Sequence, residues 1–486
     1  MTRRPEMDLS ISPYLQGSYA PVLEEYDFDQ GRDGLRVEGE IPADLRGAFM
    51  RNGPNIAWQP DHYVYPADGD GMVHAVYFKD GRVHYRNRWV RTAGFQVEEK
   101  LGRSCYGSIG KIRMPDAETV AAGGPPSPLK NLANTNVVYH GKKLLALWEV
   151  GNAHELTADL ATVGEWDYDG ALQPGDGLTA HPKICGRTGE LVTCTQRWAA
   201  PFYTLRIMDK SGKQILSKVV EMPDRAVMHD MQICGDYVVI FYPPAFTNLD
   251  AGLTGGNPFS WHSDRPTRIC AIPRDGGEPI WFEKSTFFSW HFTNGFQSGD
   301  TLYVDYVWMA SVPFALDSNS GLERQIRNMH RMTLNLKTGA VSDEKLGPTY
   351  CEFGRADDRR CGLRYRFGFA AASDSATWDG PNHSYNGVIR YDMDSGAASF
   401  WDYGAGASAG EPVHVPNPGS EREEDGYLMS YVTHPQEGAF LSILSAGDLE
   451  RGPLARVFIP SRVPNGFHAN WMPGLSLSGR ACNDKR

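Results

Sequence analysis

Short β-type runs separated by turn residues recur along almost the whole chain, and this recurrence restricts the fold more than any other feature. Residues 72–79 and 82–90 flank Asp80-Gly81, and residues 137–139 and 144–150 flank His140-Gly141-Lys142. Gly235-Asp236 precedes residues 237–242, while Lys337-Thr338-Gly339 and Asp394-Ser395-Gly396 punctuate the later half. Asp-Gly and Gly-Xaa pairs between apolar runs supply the positive-φ positions of two-residue hairpins. Hardly any long segment carries a 3.6-residue apolar period, so the pattern predicts an all-β fold built from repeated units. A β-propeller needs about four strands per blade, and seven blades would each take roughly 70 residues including insertions. Strand pattern alone leaves a propeller and a pair of sandwich domains both open. Residues 121–130 and 242–266 are too long for hairpin turns, and loops of that length commonly serve as lids or pocket walls.

Composition narrows the function. The 486 residues carry a formal charge of -11, and the clustered Lys and Arg needed to neutralise phosphates are missing, so nucleic acid is not an expected partner. Arg3 and Arg4 are followed by Asp8, Ser10 and Ser12, not by an apolar run, and no window of about 18 apolar residues occurs. The expectation is a cytoplasmic, monomeric protein without a transmembrane segment, residues 1–11 being flexible and the remainder one domain with cap insertions. Eight cysteines without a C-x-x-C pair are read as scattered buried thiols.

Fourteen histidines are present, none in a tight helical ligand pair. Four have apolar or aromatic neighbours: His181 in Leu178-Thr-Ala-His-Pro, His229 in Val227-Met-His-Asp, His291 in Phe288-Ser-Trp-His-Phe, and His468 in Gly466-Phe-His-Ala-Asn-Trp. Such surroundings suit buried ligands. Their separations are so long that one site forms only if the fold returns distant segments to a common axis, and spacing alone does not select the set.

A resemblance does. Phe49-Met-Arg-Asn-Gly-Pro-Asn55, Asp68-Gly-Asp-Gly-Met-Val-His-Ala-Val-Tyr-Phe78 and Trp89-Val-Arg-Thr92 resemble the N-terminal signature of the carotenoid cleavage oxygenases. Asn134-Thr-Asn136, Leu145-Ala-Leu-Trp-Glu149, Ala180-His-Pro182, Met228-His-Asp230, Glu352-Phe-Gly-Arg355, Gly410-Glu-Pro412 and Gly466-Phe-His-Ala-Asn-Trp471 follow in the family's order. The resemblance implies a seven-bladed propeller with a cap of loops and short helices over one face. It also implies a non-haem iron(II) held by His181, His229, His291 and His468, with Glu149, Glu352 and Glu411 behind three of them. Neutral imidazoles suit a borderline metal, and a carboxylate accepting the distal N–H fixes the tautomer. Two positions on the metal are then left for dioxygen or solvent, and Thr135 matches a family threonine near one of them. A plain strand threonine is the alternative for Thr135. Asp68-Gly-Asp-Gly71 lacks the remaining positions of a calcium loop and is read as a turn.

The implied reaction inserts both atoms of dioxygen across an alkene to give two carbonyl products, with no partner beyond a small apolar alkene and peripheral contact with a membrane for its delivery. Members that cleave phenolic stilbenes carry a lysine just before the first outer glutamate and a tyrosine in a Phe-Gly-Ala-Tyr stretch; Trp148 and Ile109, in Leu147-Trp-Glu149 and Tyr106-Gly-Ser-Ile109, match those places here. A phenol buried without partners loses about 1–3 kcal/mol per unsatisfied group, which favours an apocarotenoid over a stilbene or phenylpropene. Phe288 matches a substrate-flanking phenylalanine, with core packing as the alternative. Ala67 replaces an aromatic residue common in the family, which widens the expected tunnel. Membrane-bound retinoid isomerohydrolases share the implied site, but the apolar insertions of a monotopic protein are missing. A non-catalytic binding propeller would have shed the ligand histidines, and all four are retained.

Overall fold

Seven antiparallel sheets of four to six strands surround a central axis in a computed structural model that describes residues 6–312, 326–373 and 385–477. The first sheet in chain order, which includes Gly47–Pro54, Gly71–Lys79 and Arg82–Trp89, takes Ala469–Pro473 from the C-terminal end as its innermost strand. The last sheet likewise takes Arg36–Gly39 from the N-terminal side as its outermost strand. These two exchanges close the ring, so the outermost sheets have no free lateral neighbour to lose. The seven-bladed propeller is therefore observed, and the sandwich alternative is not.

The anticipated hairpins form where turn chemistry placed them. Asp80 and Gly81 adopt φ of 52° and 71°, and Gly141 and Lys142 adopt 57° and 65°, the paired positive values of a type I′ turn. Apolar residues of facing sheets interlock between blades; Leu441, Val457, Val76 and Tyr431 share one such cluster. Residues 242–266 are not one loop. They hold a two-stranded ribbon, Ala245–Thr247 with Phe259–Trp261, and a single helical turn between its strands.

The helix Ala93–Leu101 escaped the sequence pattern because its nine residues carry too few apolar repeats. It is nevertheless well bounded: Thr92 accepts from the Phe95 N–H at its start and Gly102 takes φ 71° at its end. Glu98 of this helix and Asp70 of the Asp68-Gly-Asp-Gly71 motif both contact Lys130 Nζ, each at 2.6 Å, in a nearly buried triad. The motif is thus an anchor for the cap as well as a turn. Lys130→Met is expected to lower stability by about 3–5 kcal/mol, since two carboxylates would remain buried without their cation; thermal unfolding checks this.

Residues 1–5 lie outside the described residues, as does Cys482; Leu9–Ile11 forms a 3-10 turn capped by Asp8. The seven described cysteines are free, and six of them are buried. Among the described residues no helix is long and apolar enough to cross a membrane.

Candidate metal centre and its cavity

Each blade presents one polar residue to the axis at or beside its innermost strand. In chain order these are Thr135 before Asn136–His140, His181 between Gly177–Leu178 and Lys183–Ile184, and His229 before Met231–Cys234. His291 precedes Phe292–Ser298, Glu352 lies in Tyr350–Ala356, Glu411 sits between Ser408–Ala409 and Val413–Pro416, and His468 leads into Ala469–Pro473. Ring closure brings together side chains that sequence distance keeps apart. One ring nitrogen from each of His181, His229, His291 and His468 lies within 4.8 Å of those of the other three.

Three carboxylates stand behind three of the imidazoles. His229 Nδ1 donates to Glu149 at 2.6 Å, His291 Nδ1 to Glu352 at 2.5 Å, and His468 Nδ1 to Glu411 at 3.1 Å. With the proton on Nδ1, the Nε2 lone pair of each ring faces the axis. His181 has no such carboxylate among the described residues, as the resemblance implied. Glu352 also accepts from the Phe353 N–H, and Glu411 from the Ala469 N–H at 2.6 Å, so both are held rigidly. Arg355 lies 3.5 Å from Glu411. Burial raises the Glu411 pKa, but His468 and Arg355 outweigh it and hold the carboxyl at about 2. Burial pushes His181 well below the ordinary imidazole range and also lowers His468, keeping both neutral. At half-buried His229 desolvation acts in the same direction, yet the charge and hydrogen bond of Glu149 carry the ring's pKa upward.

Several observations fit a cation at the centre. The Nε2 atoms of His181 and His229 lie 2.9 Å apart, where two lone pairs repel unless a cation or proton sits between them. His291 Nε2 is buried without a hydrogen-bond partner, a costly state that coordination would relieve. Four imidazoles with carboxylates behind them form a donor set suited to first-row divalent metals.

The backbone is specialised here. The pairing of Tyr350–Ala356 with Phe367–Ser373 slips between Glu352 and Arg355, and Phe353 adopts φ 56°. Bulges and positive-φ residues of this kind re-aim side chains beside functional sites. The Phe353 ring stacks on His291 at 5.2 Å between centroids and 23° between planes. A side chain at Gly354 would strike Thr293 Oγ1 at 2.1 Å, so glycine is needed for this close approach. The Asn134-Thr-Asn136 motif ties the blades together at the axis: Asn52 Nδ2 donates to the Ala133 and Asn136 carbonyls, Asn136 Nδ2 to the Ala180 carbonyl, and the His468 N–H to the Thr135 carbonyl.

A cavity of about 430 Å³ opens onto these histidines and reaches the cap. Thr135, Trp148, Ile109, Glu149 and Ala67 line it, together with His229, His291 and His468. Phe288 does not. Its ring is 1% exposed and packs edge-on against Trp290, 4.8 Å away, so core packing prevails and Trp290 occupies the wall position instead. Phe288 packs with Met309 and Trp290, and the ring at 290 is the one beside His229, at 4.7 Å. Sequence reading also missed Phe353, Tyr65, Arg327 and Tyr385. Phe353 lay within a recognised motif and Trp290 beside a ligand candidate; Arg327 and Tyr385 had no local signal.

The family model for the retinal pigment epithelial membrane protein matches residues 19–473. The apocarotenoid-15,15'-oxygenase of Synechocystis is 31% identical over 90% of this chain and 92% of its own length, and the isoeugenol monooxygenase of Pseudomonas nitroreducens is 30% identical over 95% and 98%. Among solved structures, the lignostilbene dioxygenase of Pseudomonas brassicacearum superposes with a TM-score of 0.86 at 28% identity, covering 95% of this chain and 98% of that one. A cobalt-substituted form of the Synechocystis enzyme gives 0.84 at 29% identity, covering 97% and 100%. With a matching family model spanning nearly every blade and the same propeller in its relatives, the chain belongs to the carotenoid cleavage oxygenase family.

Proposed function

We propose that the protein is an iron(II) dioxygenase that cleaves one carbon–carbon double bond of an apocarotenoid, giving two carbonyl products. The observation that carries this reading is the set of four clustered imidazoles, three of which, His229, His291 and His468, open onto an aromatic-walled cavity of about 430 Å³. His181, His229, His291 and His468 would hold the metal, and Glu149, Glu352 and Glu411 would keep three of the rings in the tautomer that ligation needs. When bound, iron(II) supplies the dioxygen chemistry that amino-acid side chains lack. The chain's own work is then positional. Trp148, Trp290, Phe353 and Tyr65 wall the space beside the histidines, so a rigid polyene enters in few orientations and only one of its double bonds lies at the centre. The same walls exclude water. Thr135, which lines the cavity and hydrogen-bonds the Asn134 side chain, narrows the approach beside His468.

Trp148 favours a polyene over a phenol because it provides a flat apolar surface where a cation would be needed to hold a phenolate. Met114 and Leu253 are exposed and lie close in sequence to the cavity residues Ile112 and Leu249, and apolar side chains at the cavity mouth would suit delivery of such a substrate from a membrane surface.

Oxygen uptake by iron(II)-loaded protein, with an apocarotenal and a hydroxystilbene side by side and aldehydes identified by mass, tests the reading. Turnover of the apocarotenal alone is expected. Turnover of the stilbene alone would retain the dioxygenase and overturn the substrate assignment, and oxygen uptake with neither would remove both.

A further inference from the structure

The cavity is not uniformly apolar. Arg327 lines it, and its Nε is buried without a hydrogen-bond partner. Among the described residues no carboxylate oxygen lies within 4.0 Å of this guanidinium, although most arginines of the chain have an acidic partner at that range. Arg327 Nη1 instead donates to the Tyr385 hydroxyl at 3.1 Å, and the Tyr350 ring lies 6.0 Å from the guanidinium carbon. Tyr14, Tyr19 and Tyr65 are close enough for the charge of Arg327 to stabilise their ionised forms. Arg327 thus shares its cavity with these five tyrosines, drawn from the N-terminal segment, the cap and one blade.

A desolvated guanidinium surrounded by neutral hydroxyls is costly unless an anion completes it. Glu352 offsets it only at longer range. The planar fork of an arginine matches a carboxylate through two parallel N–H···O bonds, and a neighbouring phenol adds a third donor. Position matters as well. Phe353 stands between Tyr385 and the metal centre, its ring 5.2 Å from His291 on one side and 6.4 Å from Tyr385 on the other.

On the strength of the polyene reading of this cavity, we infer that Arg327, assisted by Tyr385, binds a terminal carboxylate of the alkene substrate and thereby sets which double bond reaches the histidines. The preferred substrate class is then an apocarotenoid acid, held at its charged end with Phe353 between that end and the histidines. Arg327 acts as a specificity-determining residue that touches substrate and takes no part in bond cleavage.

Quenching of tryptophan fluorescence by retinoic acid and by methyl retinoate measures this directly, since Trp148 and Trp290 line the cavity. The wild-type protein is expected to bind the acid at least tenfold more tightly than the ester. Arg327→Gln should bring the acid down to the affinity of the ester, Arg327→Lys should restore part of the difference, and Tyr385→Phe should lose two- to fivefold for the acid. Melting temperatures of all variants separate loss of binding from loss of fold. An acid-to-ester ratio near one in wild type, or a ratio that Arg327→Gln leaves unchanged, overturns the inference. If neither polyene binds, the polyene reading itself falls, and the same comparison with 4-carboxystilbene and its methyl ester decides for or against the arginine pocket.

Discussion

Replacing His229 or His468 with alanine is expected to abolish retention of iron and to lower activity by more than about 100-fold. Changes behind a ligand already cost about 10–100-fold, and loss of the ligand itself removes a bond outright. The two variants should differ in stability. His468→Ala leaves Glu411 with the Ala469 N–H at 2.6 Å and Arg355 at 3.5 Å, so that carboxylate keeps partners. His229→Ala takes from Glu149 its hydrogen bond at 2.6 Å and leaves its charge at the cavity wall, with Arg225 as a more distant source of compensation. The His229 variant should therefore melt lower. Metal content after anaerobic loading with iron(II) and gel filtration gives the first answer, and stoichiometric iron with full activity in either variant would refute the ligand assignment.

Glu352→Gln is the second large effect, expected at about 10–100-fold in activity or metal affinity. Glu352 is 2% exposed and uses one oxygen for both the His291 ring and the Phe353 N–H. A neutral amide keeps the shape but weakens both bonds. It can also present its own N–H to His291 Nδ1, which would move the ring proton to Nε2, the atom that would face the metal in the proposed centre. Burial alone would raise the Glu352 pKa, yet His291 and Arg327 lower it, so the carboxylate stays charged in the folded protein. Glu352→Asp, which keeps the charge but shortens the reach, should fall between wild type and Glu352→Gln if orientation of His291 is what matters. An unchanged rate in Glu352→Gln would make this glutamate a bystander.

Much of the blade pattern could be read from local chemistry. Asp80-Gly81 and Gly141-Lys142 reverse the chain through positive-φ pairs whose preference needs no distant partner. The helix Ala93–Leu101 was less visible because Thr92 and Gly102 mark it only through capping geometry, without a long apolar stripe. The ligand candidates were recognisable through motifs, and the three glutamates came with them. Phe288 shows the limit of that route: a motif fixes order along the strand, while packing against Met309 and Trp290 decides which ring meets the cavity.

The sequence by itself determined the hairpin turns, the alternation that makes sheets, and the identity of the residues able to ligate a metal, because each depends on intrinsic preference or side-chain chemistry. Only the tertiary structure decided that His181, His229, His291 and His468 meet within 4.8 Å, that Trp290 and not Phe288 walls the cavity, and that Arg327 lies among tyrosines from remote segments. These outcomes follow from closing a ring of seven blades. Closure is a long-range pairing of Gly47–Pro54 with Ala469–Pro473, and no local preference in either strand specifies what its partner will carry to the axis.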